Sequence, residues 1–401
     1  MYEKSLKLYA LTQYTKAFWL GSMISILFLK FIGLVDAEIS LFHLITAILI
    51  FSLEIPTGGF ADKYGYRLSI IISNFSLSFA FLSFVTAAFL GKWVILILAA
   101  LFLSLSSSFS SGASSAYIFT IFKKRKESDK YLPYQSRIKR TSVIIEGLAI
   151  IIGAYLYGIN ELIPYSIQFV LVFGASLLSL KLEKDALPER KAKLPLAEHI
   201  KESFSTFTSK KIFTYFLIFL VFATMAHAYF HHIINQSIFV EGGMSVIEIG
   251  IIGLISNLVA GILVSFVPKI WNVLGEKYTY LVYSVLILIG PVLFIFGSSL
   301  IYFAIVTSII YFANRSLTVI LDNSMQIRIA EGHRATLISI LNMISSIPIR
   351  IGLIIFSLTF IGLHYSEMIF IVGFIFGMLA IVFTSVFLIP KLKSDAKIIK
   401  K

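Results

Sequence analysis

The side chains of this chain that could do chemistry are ionisable groups set inside apolar runs. Glu54 closes the run LFHLITAILIFSLE, Glu146 lies within SVIIEGLAIII, and Asp322 follows SLTVIL. A charge at bilayer depth costs about 2.5–3.5 kcal/mol on insertion scales, so each such residue needs a reason. An acid placed there stays neutral unless it is paired, which suits it to pick up and release protons. Lys16 and Arg315, the latter beside Asn314, offer fixed positive charge and donors to an anionic group. His227 and His231 are four apart and share a helix face. Two histidines at that spacing suggest a metal, but no HExxH glutamate or third ligand accompanies them, so no metal and no cofactor is assigned. A polar cavity wall with a proton-responsive member is the better reading, with a plain interhelical hydrogen bond beside it. The stretch EIPTGGFADKYGYR, Glu54 to Arg67, packs two acids, two bases, three glycines and a proline into fourteen positions.

The elements that hold these residues must be membrane helices. The chain has 401 residues, of which 58% are hydrophobic and 14% charged, against roughly 45–50% and 25% in soluble domains. Its mean hydropathy is +0.91. The apolar residues come in blocks near the 20 or so that a bilayer core requires, too long for barrel strands. The fold class expected is therefore all-α and integral to the membrane. A net charge of +13 does not imply nucleic acid, because the bases sit in short segments between apolar blocks. No cysteine is present, which removes disulfides and thiolate metal sites. The start, MYEKSLKLYA, lacks a small-residue cleavage site and reads as a retained first helix.

Twelve spans are expected, near 7–32, 38–60, 68–90, 93–121, 139–159, 163–181, 212–239, 246–267, 278–298, 300–327, 335–361 and 367–389. Lysine and arginine concentrate in alternate gaps, which puts both termini in the cytoplasm and the chain in the cell membrane. The longest hydrophilic stretch divides the chain into a first half, 1–181, a central loop, 182–211, and a second half, 212–401. That loop reads as a linker with an amphipathic patch, LPLAEHIKESF, suited to the membrane surface. A shift of 210 places Gly65 on Gly275, Arg67 on Lys277 and Asp62 on Asn272, a faint internal repeat of the kind transporters carry. Eight serines between Ser104 and Ser115 read as a small-residue packing face.

With these residues in view, GGFADKYGYRLSI resembles the loop between the second and third helices of the major facilitator superfamily, through Gly58, Ala61, Asp62, Lys63, Gly65 and Arg67. EIPTG is similar to the ExPTG variant of bacterial drug and multidrug exporters, and HRATLISILN to their RAT-x-x-S segment. The resemblance implies two six-helix halves around a central cavity lined by helices one, four, seven and ten. Lys16 and Arg315 lie about ten residues, roughly 15 Å, into spans one and ten. Together with Asn314, His227 and His231 they become the expected substrate contacts, and Glu54, Glu146 and Asp322 the proton carriers.

Gly58, Asp62, Gly65 and Arg67 become a gate: the glycines let backbones turn and approach, and Asp62 accepts hydrogen bonds from a neighbouring helix N-terminus. The function expected is that of a secondary transporter, a monomer and not an enzyme, that exports a small organic molecule by alternating access with protons as the coupling ion. The basic cavity favours an anionic or zwitterionic amphipathic substrate. Span four carries no arginine and span five no glycine–proline pair, two marks of proton antiporters in this family. Import by proton symport and a non-transporting scaffold or receptor therefore stay open as alternatives.

Overall fold

The computed structural model describes residues 2–22, 24–184, 195–229, 246–297, 299–330, 332–359 and 365–399, and the regular elements there are helical. In chain order these are α1 (Tyr2–Ala17), α2 (Ser25–Phe31), α3 (Asp36–Tyr64), α4 (Tyr66–Leu90), α5 (Leu96–Ser110) and α6 (Ala113–Lys124). Then come α7 (Tyr131–Ile159), α8 (Ile163–Ser179), α9 (Leu196–Ser209), α10 (Lys211–Tyr229) and α11 (Val246–Val264). The last are α12 (Val267–Leu293), α13 (Leu300–Arg328), α14 (Arg334–Thr359), α15 (Tyr365–Phe383) and α16 (Ile389–Ile399). Among the described residues, seven helical stretches are long and apolar enough to cross a bilayer on their own. They correspond to expected spans two to five, nine, ten and twelve.

Two compact units divide the chain. One comprises Met1–Tyr131, Leu148–Ser205 and Gln326–Ile340, the other Leu132–Gly147, Thr206–Met325 and Leu341–Lys401. Burial is inverted relative to a water-soluble protein. Phe89, Tyr155, Val273 and Ile301 are all more than 70% exposed, while Ser73, Ser78, Ser104 and Ser108 are fully buried. Lipid solvates the apolar exterior as well as a core would, so helices must associate by close packing and polar contacts instead.

In the first unit α3 and α4 lie on α5, and α1 and α4 lie on α8. The serine face supplies one seam. Ser104 and Ser108 donate to the carbonyls of Thr46 and Ile50, one turn apart on α3, and Ser73 of α4 donates to the carbonyl of Ser106. Phe28 stacks on Tyr165 at 3.6 Å, within a cluster that includes Phe42, Phe81 and Phe84. Such ring pairs add about 0.5–1.5 kcal/mol beyond the area they bury.

Two expected spans are interrupted. Span one breaks between α1 and α2, and the break is satisfied from α8: the Leu20 N–H donates to Gln168 Oε1 at 3.2 Å, and Gln168 Nε2 donates to the Thr15 carbonyl at 3.4 Å. A Cβ on Gly153 of α7 would come within 1.9 Å of the Leu20 carbonyl oxygen, so glycine is required at that approach. Span four breaks at Gly112, whose φ of +60° ends α5 and lets α6 begin in a new direction.

In the second unit α15 packs on both α10 and α12. Spans seven and nine thus meet span twelve as spans one and three meet span six. Gly65 and Gly275, matched by the shift of 210, both have positive φ, +114° and +69°. The repeat legible in the residues is therefore also a repeat of backbone geometry.

Candidate functional site

Asp62 lies in the last turn of α3 and is fully buried. Its carboxylate receives four hydrogen bonds. Oδ1 accepts the Ala335 N–H at 3.1 Å and the Tyr66 hydroxyl at 3.0 Å. Oδ2 accepts the Thr336 N–H at 2.8 Å and the Thr336 hydroxyl at 2.6 Å. Ala335 and Thr336 open α14, where backbone N–H groups have no intrahelical partner and the helix dipole is positive, so an anion belongs there.

The approach needs glycine. A Cβ on Gly58 would lie 2.8 Å from Ser339 Oγ and 3.0 Å from Thr336 Cα, and one on Gly112 would lie 2.6 Å from the Ala335 carbonyl. Gly65 carries the chain from α3 into α4, placing Tyr66 one turn beyond Asp62. The RAT-x-x-S segment then reads residue by residue. Arg334 is buried, donates to the backbone carbonyl and to Oε1 of Gln326, and lies 4.3 Å over the Phe119 ring. Ala335 fits under Gly112, Thr336 bonds Asp62, and Ser339 faces Gly58. Gln326 in turn donates to Ser115 at 3.0 Å. Arg67 does not meet Asp62: its Nη2 donates to the Leu180 carbonyl at 2.6 Å, where a cation complements the C-terminal end of α8.

Helix α9, within the central hydrophilic stretch, packs on the same place. A Cβ on Gly59 would lie 3.0 Å from the side chains of both Leu196 and Ile200. His199, with 1% of its side chain exposed, points Nε2 at Asp62 Oδ2 (3.7 Å) and Thr336 Oγ1 (3.5 Å). The buried face of this helix is thus turned onto α3 and α14.

In the second unit Arg315 of α13 donates from Nη2 to Glu146 Oε1 of α7 at 2.7 Å, with both side chains partly exposed. This joins an expected substrate contact to an expected proton carrier. Lys139, seven residues before Glu146 and on the same face of α7, is electrostatically coupled to both. Glycines again set the spacing: Gly147 faces Asn257 of α11, and Gly261 of α11 faces the Arg140 carbonyl. Asn314 lines a small apolar crevice with Ala223, Ala226, Ile287 and Pro291. Asp322 lies seven residues beyond Arg315 on α13 and is half-buried.

The remaining expected residues are dispersed. Lys16, in the last turn of α1, donates to Ser73 Oγ at 3.1 Å. Glu54 is 4% exposed and hydrogen-bonded to Ser111. His231 lies outside the described residues, as does the side chain of His227. Several residues were not singled out from the sequence: Gln168, Gln326, Lys139, His199 and His333. Only Lys139 carried a clear signal, its seven-residue spacing from Glu146; the others act on segments distant in the chain.

Known proteins place this architecture. A 144-residue stretch is 31% identical to the uncharacterised MFS-type transporter YxaM of Bacillus subtilis, covering 35% of this chain and 32% of that protein; the match thus spans about a third of its length. Among solved structures, the major facilitator transporter FucP in its outward conformation aligns with a TM-score of 0.76 at 11% identity, over 96% of this chain and 98% of FucP. A bacterial homologue of the iron transporter ferroportin aligns at 0.67 and 17% identity, over 95% and 98%. The human organic anion transporter MFSD10 aligns at 0.66 and 12% identity, over 95% and 99%. The Major Facilitator Superfamily model itself matches residues 8–352; the chain belongs to that superfamily, and is a multi-pass membrane transporter rather than an enzyme.

Proposed function

We propose that this transporter exports a small organic anion or zwitterion across the cell membrane by alternating access, with protons moving in exchange. The observation that carries the reading is the Arg315–Glu146 pair. A cation already neutralised by an acid is a site where substrate and proton compete. A substrate whose anionic group takes Arg315 and whose cationic group takes the Glu146 carboxylate displaces the ion pair, and a proton competes with it for Glu146. Proton uptake by Glu146 on the outer side thus releases the substrate there, and loss of that proton on the inner side frees the carboxylate for the next substrate, so the two cross in opposite directions. Lys139 adds positive charge that favours an anion in either state.

The Asp62 contact is the moving part in this reading. It holds the α14 N-terminus while one side is shut, and it must release when that side opens, which biases the conformational equilibrium. With EIPTG and RAT-x-x-S both present, we assign the chain to the drug-exporter subgroup, acting as a monomer with both termini in the cytoplasm. Lys16, Asn314, His227 and His231 are the further substrate contacts we propose, and Glu54 and Asp322 the further proton-carrying candidates. Anion transport is named for one structural neighbour and, for FucP, fucose:proton symport. The latter is what favours the competing reading of import by symport.

The test is an efflux and susceptibility screen, followed by flux in proteoliposomes, of wild type against Arg315→Ala and Glu146→Gln. Arg315→Ala should abolish transport of the identified substrate. Glu146→Gln should retain flux that no longer responds to an imposed proton gradient. If neither variant differs from wild type for any transported compound, the assignment fails. A wild-type flux driven in the same direction as the proton gradient selects symport.

A further inference from the structure

Around the Asp62 contact lie three potential metal ligands that the transport reading does not use. His199 and Glu202 are three apart on α9, hence on one face. His333 immediately precedes α14. The two imidazole rings stack with centroids 5.0 Å apart and planes 6° from parallel. One ring nitrogen from each, with a Glu202 carboxylate oxygen, all lie within 4.8 Å of one another. The sequence alone assigns no metal here because the third group is 131 positions from its nearest partner.

Contacts on the far side of each ring select the ligating nitrogens. His333 Nδ1 is 2.6 Å from Ser203 Oγ, and its Nε2 is 3.8 Å from Glu202 Oε1. His199 Nε2 faces the Asp62 carboxylate and Thr336. That leaves His199 Nδ1, which is buried and makes no hydrogen bond. A buried ring nitrogen with its lone pair unused is costly, and a cation would satisfy it. A histidine whose other nitrogen faces a carboxylate or hydroxyl is the usual supporting arrangement around a bound metal, since it fixes the tautomer and raises ligand basicity. Both rings have one.

We propose that His199, Glu202 and His333 bind a divalent cation of the zinc class, and that the cation clamps α9 onto the start of α14 beside Asp62. Two imidazoles and a carboxylate suit zinc, cobalt or nickel and not magnesium or calcium, which prefer all-oxygen sets. Metal–ligand distances near 2.0–2.2 Å put tetrahedral ligands roughly 3.3–3.5 Å apart. A spread of up to 4.8 Å therefore closes by up to about 1.5 Å, with both rings tilting out of their stack toward the cation. The Glu202 side chain is half-exposed and has room to swing. The fourth position is left for water. The bound charge would lie behind His199 from Asp62, strengthening the hold of that carboxylate on the ring. The binding claim stands without the transport reading; the clamp's effect on transport rests on Asp62 acting as the latch.

The test uses full-length protein in detergent, purified without a polyhistidine tag. The absence of cysteine removes thiolate competition. Zinc is titrated by calorimetry, and cobalt by the visible absorption of its tetrahedral complex. One site per chain is expected. Glu202→Gln and His333→Ala should each weaken it at least tenfold, with Glu202→Gln leaving the thermal midpoint without metal unchanged. Paired His227→Ala and His231→Ala should leave the affinity as it was. Hydrogen–deuterium exchange across 333–340 should slow at least tenfold with zinc in wild type, and not in Glu202→Gln. No stoichiometric binding, or binding lost only in the His227/His231 variant, overturns the site. Binding at the three residues with unchanged exchange overturns the clamp. Neither result bears on the Arg315–Glu146 reading, which is judged by flux alone.

Discussion

Replacing Asp62 by asparagine keeps the shape of the side chain and removes half of its capacity to accept. Each carboxylate oxygen serves two donors, Oδ1 for Ala335 and Tyr66 and Oδ2 for both groups of Thr336. Whichever way the amide is turned, its NH2 faces two donors and two bonds are lost. With the NH2 in the Oδ1 place, one of the two is the Tyr66 bond, which does not reach α14, so the contact with α14 loses only the Ala335 bond. Hydrogen bonds to a charged acceptor contribute about 1.5–3 kcal/mol each, so that contact should weaken by at least roughly 1.5–3 kcal/mol. At 1.4 kcal/mol per tenfold, the latched population falls on the order of 10- to 10²-fold relative to the open one.

The chain has no cysteine, so a single Ser339→Cys, placed at the buried face opposite Gly58, reports opening without background. Its rate of reaction with a hydrophilic maleimide, measured in nanodiscs, should rise at least tenfold when Asp62→Asn is added. Transport should fall while membrane insertion stays normal. An unchanged labelling rate would refute the idea that this carboxylate holds the α14 N-terminus in place, whatever happens to transport.

Other consequences concern how the helices are seated. Gly153→Ala should lower the thermal midpoint in detergent and the yield of folded protein, because its Cβ would overlap the Leu20 carbonyl. Gly174→Ala, where nothing lies within 4 Å, should be neutral or stabilise by about 0.5–1 kcal/mol; equal behaviour of the two would contradict the packing described. Gln168→Leu should cost about 1–3 kcal/mol, since the Leu20 N–H loses its acceptor inside the unit. A thermal melt within error of wild type would show that the break in span one is satisfied some other way.

The range of each interaction decides how much of the fold and the site was legible in the sequence. Spans with long uniform apolar runs, such as those around α4 and α13, are local facts and read directly. Asp62 accepts from the N-terminus of α14, and Thr336 stands in a motif visible in the sequence, though without its partner. Linking them required contact across 274 positions, which no periodicity reports. The interruption of span one was hidden for the same reason. Residues 7–32 read as one continuous span, while the acceptor and the clearance at the break come from Gln168 and Gly153. The His199 cluster was missed because an amphipathic stretch shows which face is buried and not what it is buried against.

Helix α7 enters both compact units, its residues up to Gly147 in one and from Leu148 in the other. Glu146 near the junction is ion-paired to α13, while Gly153, seven residues and about 10 Å along the same axis, has no slack against the backbone of Leu20. The helix is thus held by charge at one point and by shape at the other. The first hold yields to a proton or a competing ion, and the second only to movement of backbone.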